Sequence, residues 1–242
     1  MTASALPKLR ELSEALARVH VRVGTADELV APSRPTGWAE LDAFLPDGGL
    51  PLGVVELACA PADTRAHAYA GATAIATFAI ARAHRDERAY CAWVDVAHTL
   101  HAPGLLQAGV DVERLLVVRP TPEQLGLVAV KVASSGAFDV VVVELGELAA
   151  RPGSGRASKR EAPELFVRKL ALAAEASGVT VLLLTEPTRM PTRAVPWPVA
   201  MRLDLARVRE GLAVGIPKER RGRITTAKVT LPLPAAPISP AA

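Results

Sequence analysis

The chain has 242 residues, half of them hydrophobic and only 4% aromatic, with a formal net charge of +3, which is enough for one buried core and little else. Its longest apolar runs, 138–145 and 179–185, fall far short of the ~20 residues that a membrane-spanning helix needs. The first residues lack the basic-then-apolar order of a secretory leader, so a cytoplasmic protein is expected and no membrane partner is.

Residues 9–19 place Leu9, Leu12, Leu16 and Val19 on one face with charges opposite, which predicts an amphipathic helix. The alternating segment 20–23 and a polar stretch ending at Pro35 follow, and then a short helix beginning near Thr36, whose hydroxyl is a natural N-cap. Asp47-Gly48-Gly49 makes a turn. From there strands and helices alternate: strand 53–58, helix 66–85, strand 89–94, helix 98–107, strand 115–119, helix 123–134 and strand 139–145. After the polar loop 151–161 come a helix over 162–176 and a strand over 179–185. Val-rich strands separated by helices predict an α/β fold with a mostly parallel sheet covered on both faces. A Pro-rich loop spans 187–198, and segments 200–208, 212–217 and 224–233 lack helical periodicity, which predicts antiparallel C-terminal strands extending the sheet. The organisation expected is an N-terminal helix and strand over 1–24, one core domain over 25–231 and a Pro/Ala-rich disordered tail over 232–242.

Cys59 and Cys91 both sit in apolar strand sequence and read as reduced, buried thiols. His98 and His101, with Asp95, lack a Cys or carboxylate at zinc-ligand spacing, so no metal is expected. The basic excess becomes a nucleic-acid footprint only where arginines gather on one surface. Candidates are Arg151, Arg156, Lys159 and Arg160 in one loop, Arg189 and Arg193 in the Pro-rich loop, and Arg220, Arg221 and Arg223 near the end. Trp197, between Pro196 and Pro198, is either a partner anchor or partly buried against the sheet.

In a parallel α/β sheet, ligands bind at the carboxyl ends of the strands, and the turn after the first central strand is the usual phosphate site. That turn here runs Cys59-Ala60-Pro61-Ala62-Asp63-Thr64-Arg65-Ala66-His67. A P-loop needs glycines so that backbone N–H groups can wrap phosphates, and a Lys to reach the outer ones. This turn has neither, and Asp63 puts an anion where a triphosphate would sit.

Several segments together resemble the ATPase core of RecA. Thr36-Gly37-Trp38-Ala39-Glu40-Leu41-Asp42, Gly48-Gly49-Leu50-Pro51-Leu52-Gly53 and Val55-Glu56-Leu57 are similar to its approach to the P-loop. Trp93-Val94-Asp95-Val96-Ala97-His98 is similar to the strand whose last acid activates the attacking water. Ala108-Gly109-Val110-Asp111, the run from Ser135 to Glu144, and Arg202-Leu203-Asp204-Leu205 follow in the same order. The resemblance covers roughly 19–231 and implies a RecA-like core with a degenerate P-loop. Carried over position by position, it puts Ala97 where the catalytic Glu belongs, Glu144 at the Walker B aspartate, and Glu186 at the glutamine that senses the terminal phosphate. The degenerate nucleotide site then comprises Ala62, Asp63, Thr64, Arg65, Ala66, His67, Ala97, Glu144 and Glu186. Neither ATP, nor another cofactor, nor catalysis is expected there. Arg65 or His67 is expected to fill it, beside Asp95 and Glu144.

A RecA-like fold with a dismantled nucleotide site resembles the ImuA family of bacterial mutagenesis cassettes. That resemblance implies an adaptor in SOS-induced translesion synthesis, acting with ImuB, an error-prone C-family DNA polymerase and RecA, as a monomer or small oligomer. Leu9, Leu12 and Leu16 on the N-terminal helix would then be candidate partner contacts. The competing readings are a protein that binds single-stranded DNA weakly through its basic loops, and a SulA-like inhibitor of cell division that binds FtsZ; the length and the C-terminal strands speak against the latter.

Overall fold

The computed structural model describes residues 32–59, 70–145, 163–186, 197–225 and 227–233. The chain divides into two units, 1–32 and 33–242, and all described secondary structure belongs to the second. The N-terminal helix with Leu9, Leu12 and Leu16, the turn 60–69, the loop holding Arg151, Arg156, Lys159 and Arg160, Arg189 and Arg193, and the tail from 234 lie outside the described residues.

Two short strands, β1 (Ser33–Arg34) and β2 (Leu50–Pro51), pair antiparallel around helix α1 (Ala39–Phe44). The chain then runs β3 (Gly53–Cys59), α2 (Ala70–Ala83), β4 (Cys91–Val94), α3 (Ala102–Gln107), a 3-10 turn (Val112–Arg114), β5 (Leu115–Val118), α4 (Leu125–Ser134) and β6 (Val140–Glu144). It closes with α5 (Pro163–Ser177), β7 (Thr180–Thr185), β8 (Met201–Val208), β9 (Gly211–Glu219) and β10 (Val229–Leu231). Strands β3 to β10 form one eight-stranded sheet in the order β10-β9-β8-β3-β7-β6-β4-β5. The mostly parallel α/β sheet expected from the alternation is what the chain builds.

Strand alternation sorts the core into two layers. Val55, Leu57, Trp93, Val142, Leu182 and Leu203 face one side, with Ile75 and Ile80 of α2. Val54, Val94, Val141, Val181 and Leu183 face the other, against Ala129 of α4 and Leu170 of α5. Both cysteines are free and buried. Loss of hydration pushes the Cys59 thiol up to about 11 and the Cys91 thiol up to about 12, so both stay protonated at neutral pH.

Three local expectations need correction. The first helix does not begin at Thr36 but at Ala39, with Trp38 as an N-cap that makes no side-chain cap bond. Asp42 holds Thr36 instead: its Oδ1 accepts from Thr36 N and Oγ1, both at 2.7 Å, and its Oδ2 accepts from Gly37 N at 3.1 Å. The helix expected from residue 98 starts at Ala102, because Asp95 draws the N–H groups of Thr99 (2.9 Å) and Leu100 (3.3 Å) into a loop, and Pro103 tolerates only the first helical turn. Finally, the C-terminal extension is not antiparallel throughout: β8 joins β3 in parallel, and only β9 and β10 reverse.

Candidate functional site

The sheet order brings the carboxyl ends of β3, β7, β6 and β4 side by side. Register places Val94 opposite Val143 and Glu144 opposite Leu184, so Asp95 and Glu144 end neighbouring strands and Glu186 lies two residues past Leu184. Asp95 and Glu144 share the face of Trp93 and Val142, toward α2, by the period of two. All three acids are buried: Asp95 is 0%, Glu144 4% and Glu186 8% exposed.

Two of these acids are held in different ways. Asp95 Oδ1 accepts from Thr99 N, and Oδ2 accepts from Leu100 N and from Arg119 Nε at 3.1 Å. Two backbone donors and a guanidinium together satisfy a buried carboxylate. Glu144 Oε1 accepts from Trp93 Nε1 at 3.0 Å, while Oε2 is buried. Burial raises the pKa of Glu144, side-chain bonds from Trp93 and Thr99 oppose that, and the charge of Asp95 adds to it. An un-neutralised carboxylate is costly here, so the site favours the neutral acid.

Arg119 is a site residue that the sequence motifs do not single out. The residues expected beside Asp95, Arg65 and His67, lie outside the described residues with Ala62, Asp63, Thr64 and Ala66; the cation that the structure brings to Asp95 comes from the end of β5. A signal for it exists in the sequence: Arg119 follows β5 as Asp95 follows β4, and the register Val94 to Val118 sets the two level. Ala97 sits exposed in the turn after β4, next to His98 at φ 58°, and His101 is exposed ahead of α3. Among the described residues no group of three or more His, Cys, Asp or Glu is placed to hold a metal ion.

Across the sheet lies a second polar cluster that the motifs do not predict. Glu56, 1% exposed, accepts from Thr185 Oγ1 at 3.0 Å and lies 3.6 Å from Arg202 Nη1, while Arg202 Nε donates to Asp204 at 2.8 Å. The register puts Glu56 opposite Arg202, so an acid in one apolar run meets a cation in another.

Two proposed contact sites are corrected. Trp197 is 1% exposed and packs in the layer with Val54, Phe166 and Val181, where burying a large ring outweighs presenting it to solvent. Lys218 Nζ donates to its carbonyl oxygen. Arg223 is committed within the fold: its Nη1 and Nη2 donate to Asp47 at 2.7 and 2.6 Å, and Nη2 donates to Glu219 at 3.2 Å. Arg220 and Arg221 remain exposed, Arg220 4.0 Å from Glu175.

Comparison with known proteins gives two findings. The model of the RecA N-terminal domain family matches residues 11–152. Protein RecA of Acidothermus cellulolyticus is 34% identical over 153 residues, an alignment that covers 59% of this chain and 42% of that relative. The chain thus aligns with less than half the length of the relative.

Proposed function

The chain belongs to the RecA N-terminal domain family, and from that premise we propose that it is a RecA-like adaptor of the ImuA type, which neither binds nor hydrolyses ATP. Membership supports a place in DNA repair or recombination. The finer reading is damage-induced translesion synthesis in the cytoplasm, with ImuB, RecA and an error-prone C-family polymerase as partners.

The observation that carries the proposal is the carboxyl edge of the sheet. Where a RecA-like site receives phosphates, this chain gathers Asp95, Glu144 and Glu186, all buried. The guanidinium of Arg119 is turned onto Asp95. With Asp95 taken by Arg119 and Glu144 favouring its neutral form, the described edge satisfies its own acids rather than being open to a triphosphate. Ala97, at the place the resemblance gives to the catalytic acid, has no group to orient a water. The DNA-binding reading is weakened by the commitment of Arg223 to Asp47 and Glu219.

The test is a parallel pull-down of the purified chain against ImuB, RecA and single-stranded DNA, with and without ATP, beside titration calorimetry with Mg-ATP. Protein binding that ignores ATP, with no heat of nucleotide binding, is expected. ATP binding would overturn the degenerate-site reading, and binding to DNA alone that weakens steeply with salt would replace the adaptor with a phosphate-binding protein.

A further inference from the structure

We propose that His84 is a proton-operated latch: neutral, it holds the 3-10 turn Val112–Arg114 against the end of α2, and protonated, in mild acid, it lets the turn go. The latch is independent of the partners proposed above. His84 directly follows α2, its N–H bonded to Ile80 O at 2.9 Å. Its Nδ1 accepts from Asp111 N at 3.2 Å, while Nε2 is buried without a hydrogen-bond partner. Only a neutral ring offers an acceptor. An imidazolium carries N–H on both nitrogens, so Asp111 N would face a donor and a positive charge would lie buried.

The remaining bonds at this junction converge on the same atoms. Arg114 Nη2 donates to His84 O at 2.6 Å and Nη1 to Asp86 O at 2.7 Å, and its Nε donates to Asp111 Oδ2 at 2.7 Å. Asp111 Oδ1 accepts from Glu113 N at 3.0 Å, so both carboxylate oxygens are engaged. An imidazolium can recruit Asp111 only by taking it from Arg114 or from Glu113 N, and either exchange unties the turn. The turn leads into β5 at Leu115, and Val112 and Leu115 line a cavity of about 290 Å³ with Leu100, Leu105 and Val117. Release therefore moves part of the cavity lining and frees the amino end of β5. The carboxyl end stays tied by Asp95 N to Val118 O at 2.9 Å.

The groups around the ring set the direction of the latch. Burial is the largest influence and lowers the His84 pKa from its ordinary 6.5; the charge of Arg114 adds to this, while the charge of Asp111, a backbone bond at Arg114 and the charge of Asp139 oppose it. Asp139, ahead of β6, is offset by Arg34 of β1, whose Nη1 lies 2.7 Å away. On the segment of His84 itself, Arg85, Glu87 and Arg88 are exposed, and Asp86 accepts from Arg88 N at 3.0 Å. Cys91 of β4 stays a neutral thiol. The latch is thus closed at neutral pH and opens only below it.

The test is amide hydrogen exchange followed by NMR on the whole chain, with the His84 ring titration recorded in parallel. Between about pH 7.5 and 5.5, protection at Asp111 N and Arg114 N is expected to fall at least about ten-fold after correction for intrinsic exchange. The midpoint of that loss should coincide with the titration of the His84 ring. Asp95 N, bonded at the other end of β5, should keep its protection. His84→Gln, which retains an acceptor and takes up no proton, should keep the turn protected at both pH values. Unchanged protection at Asp111 N, an equal loss at Asp95 N, a midpoint apart from the ring titration, or the same loss in His84→Gln would overturn the latch. The wild-type comparison of Asp111 N with Asp95 N decides the matter even where the variant fails to fold.

Discussion

Glu144 and His84 are buried side chains whose surroundings favour the uncharged form, and each has a testable pH signature. Burial raises the pKa of Glu144, so the stability it gives is fully present below the ordinary value of 4.5 and is lost as pH rises through the folded value. Glu144→Gln keeps an acceptor for Trp93 and removes the charge. Its thermal midpoint should therefore exceed that of the wild type at about pH 8 and match it at about pH 4. His84, 6% exposed, accepts through Nδ1 from Asp111 N at 3.2 Å. Burial lowers its pKa, with Arg114 adding to the effect and Asp111 and Asp139 opposing it. Its stabilising contribution is full above the ordinary value of 6.5 and is lost as pH falls from there through the lower folded value. His84→Gln, which keeps an acceptor, should show a smaller drop in thermal midpoint between about pH 7.5 and 5.5 than the wild type. The identity of Glu144 as a strand-ending acid was legible in the sequence. The burial of its Oε2 was not, because it depends on what packs above the sheet, and the role of His84 was not, because its partner lies 27 positions away.

Among the elements, strands were easier to read than helix starts. Continuous Val and Leu runs leave few alternatives to a buried strand, and β3, β6 and β7 fall within a residue or two of expectation. Helix starts depend on which side chain captures which free N–H. The regions around Thr36 and Asp95 mislead on that ground, since the Thr36 hydroxyl gives its proton to the Asp42 side chain of α1 rather than capping a helix N–H, and the Asp95 side chain bonds within a loop. The entry to α1 offers a direct test. Asp42→Ala removes three hydrogen bonds, two of them to fully buried Thr36, and should cost about 2 kcal/mol in denaturant unfolding, given the usual worth of bonds to a charged acceptor. Thr36→Val, which loses the hydroxyl but keeps the backbone donor to Asp42, should cost less.

Across the whole molecule, the fold class was legible from alternation alone, whereas the closure of the sheet was not. Arg223 joins Asp47, 176 residues earlier in the chain, to Glu219, and spacing gives no hint of such a clamp. The Arg223 bond lowers the pKa of Asp47. Burial alone would raise Glu219, but bonds from Arg223 and from the N–H groups of Arg223 and Arg221 leave it lowered. Both acids therefore give stability that is present above their ordinary values and lost as pH falls through the folded ones. Arg223→Ala should lower stability by about 2 kcal/mol at neutral pH, as expected for charged groups left buried without their partner, and should flatten the acid limb of the stability curve below about pH 5.

The strand order also fixes when the fold can close. The central strand β3, made early, hydrogen-bonds only to β7 and β8, which begin at Thr180 and Met201. On the ribosome, β3 must wait for more than half of the chain to emerge before either neighbour exists. Closure is then governed by distant contacts, which form slowly. A nascent chain halted before Thr180 carries both edges of its fully buried central strand open, so this protein should depend on chaperones during synthesis more than a domain whose first strands pair with each other.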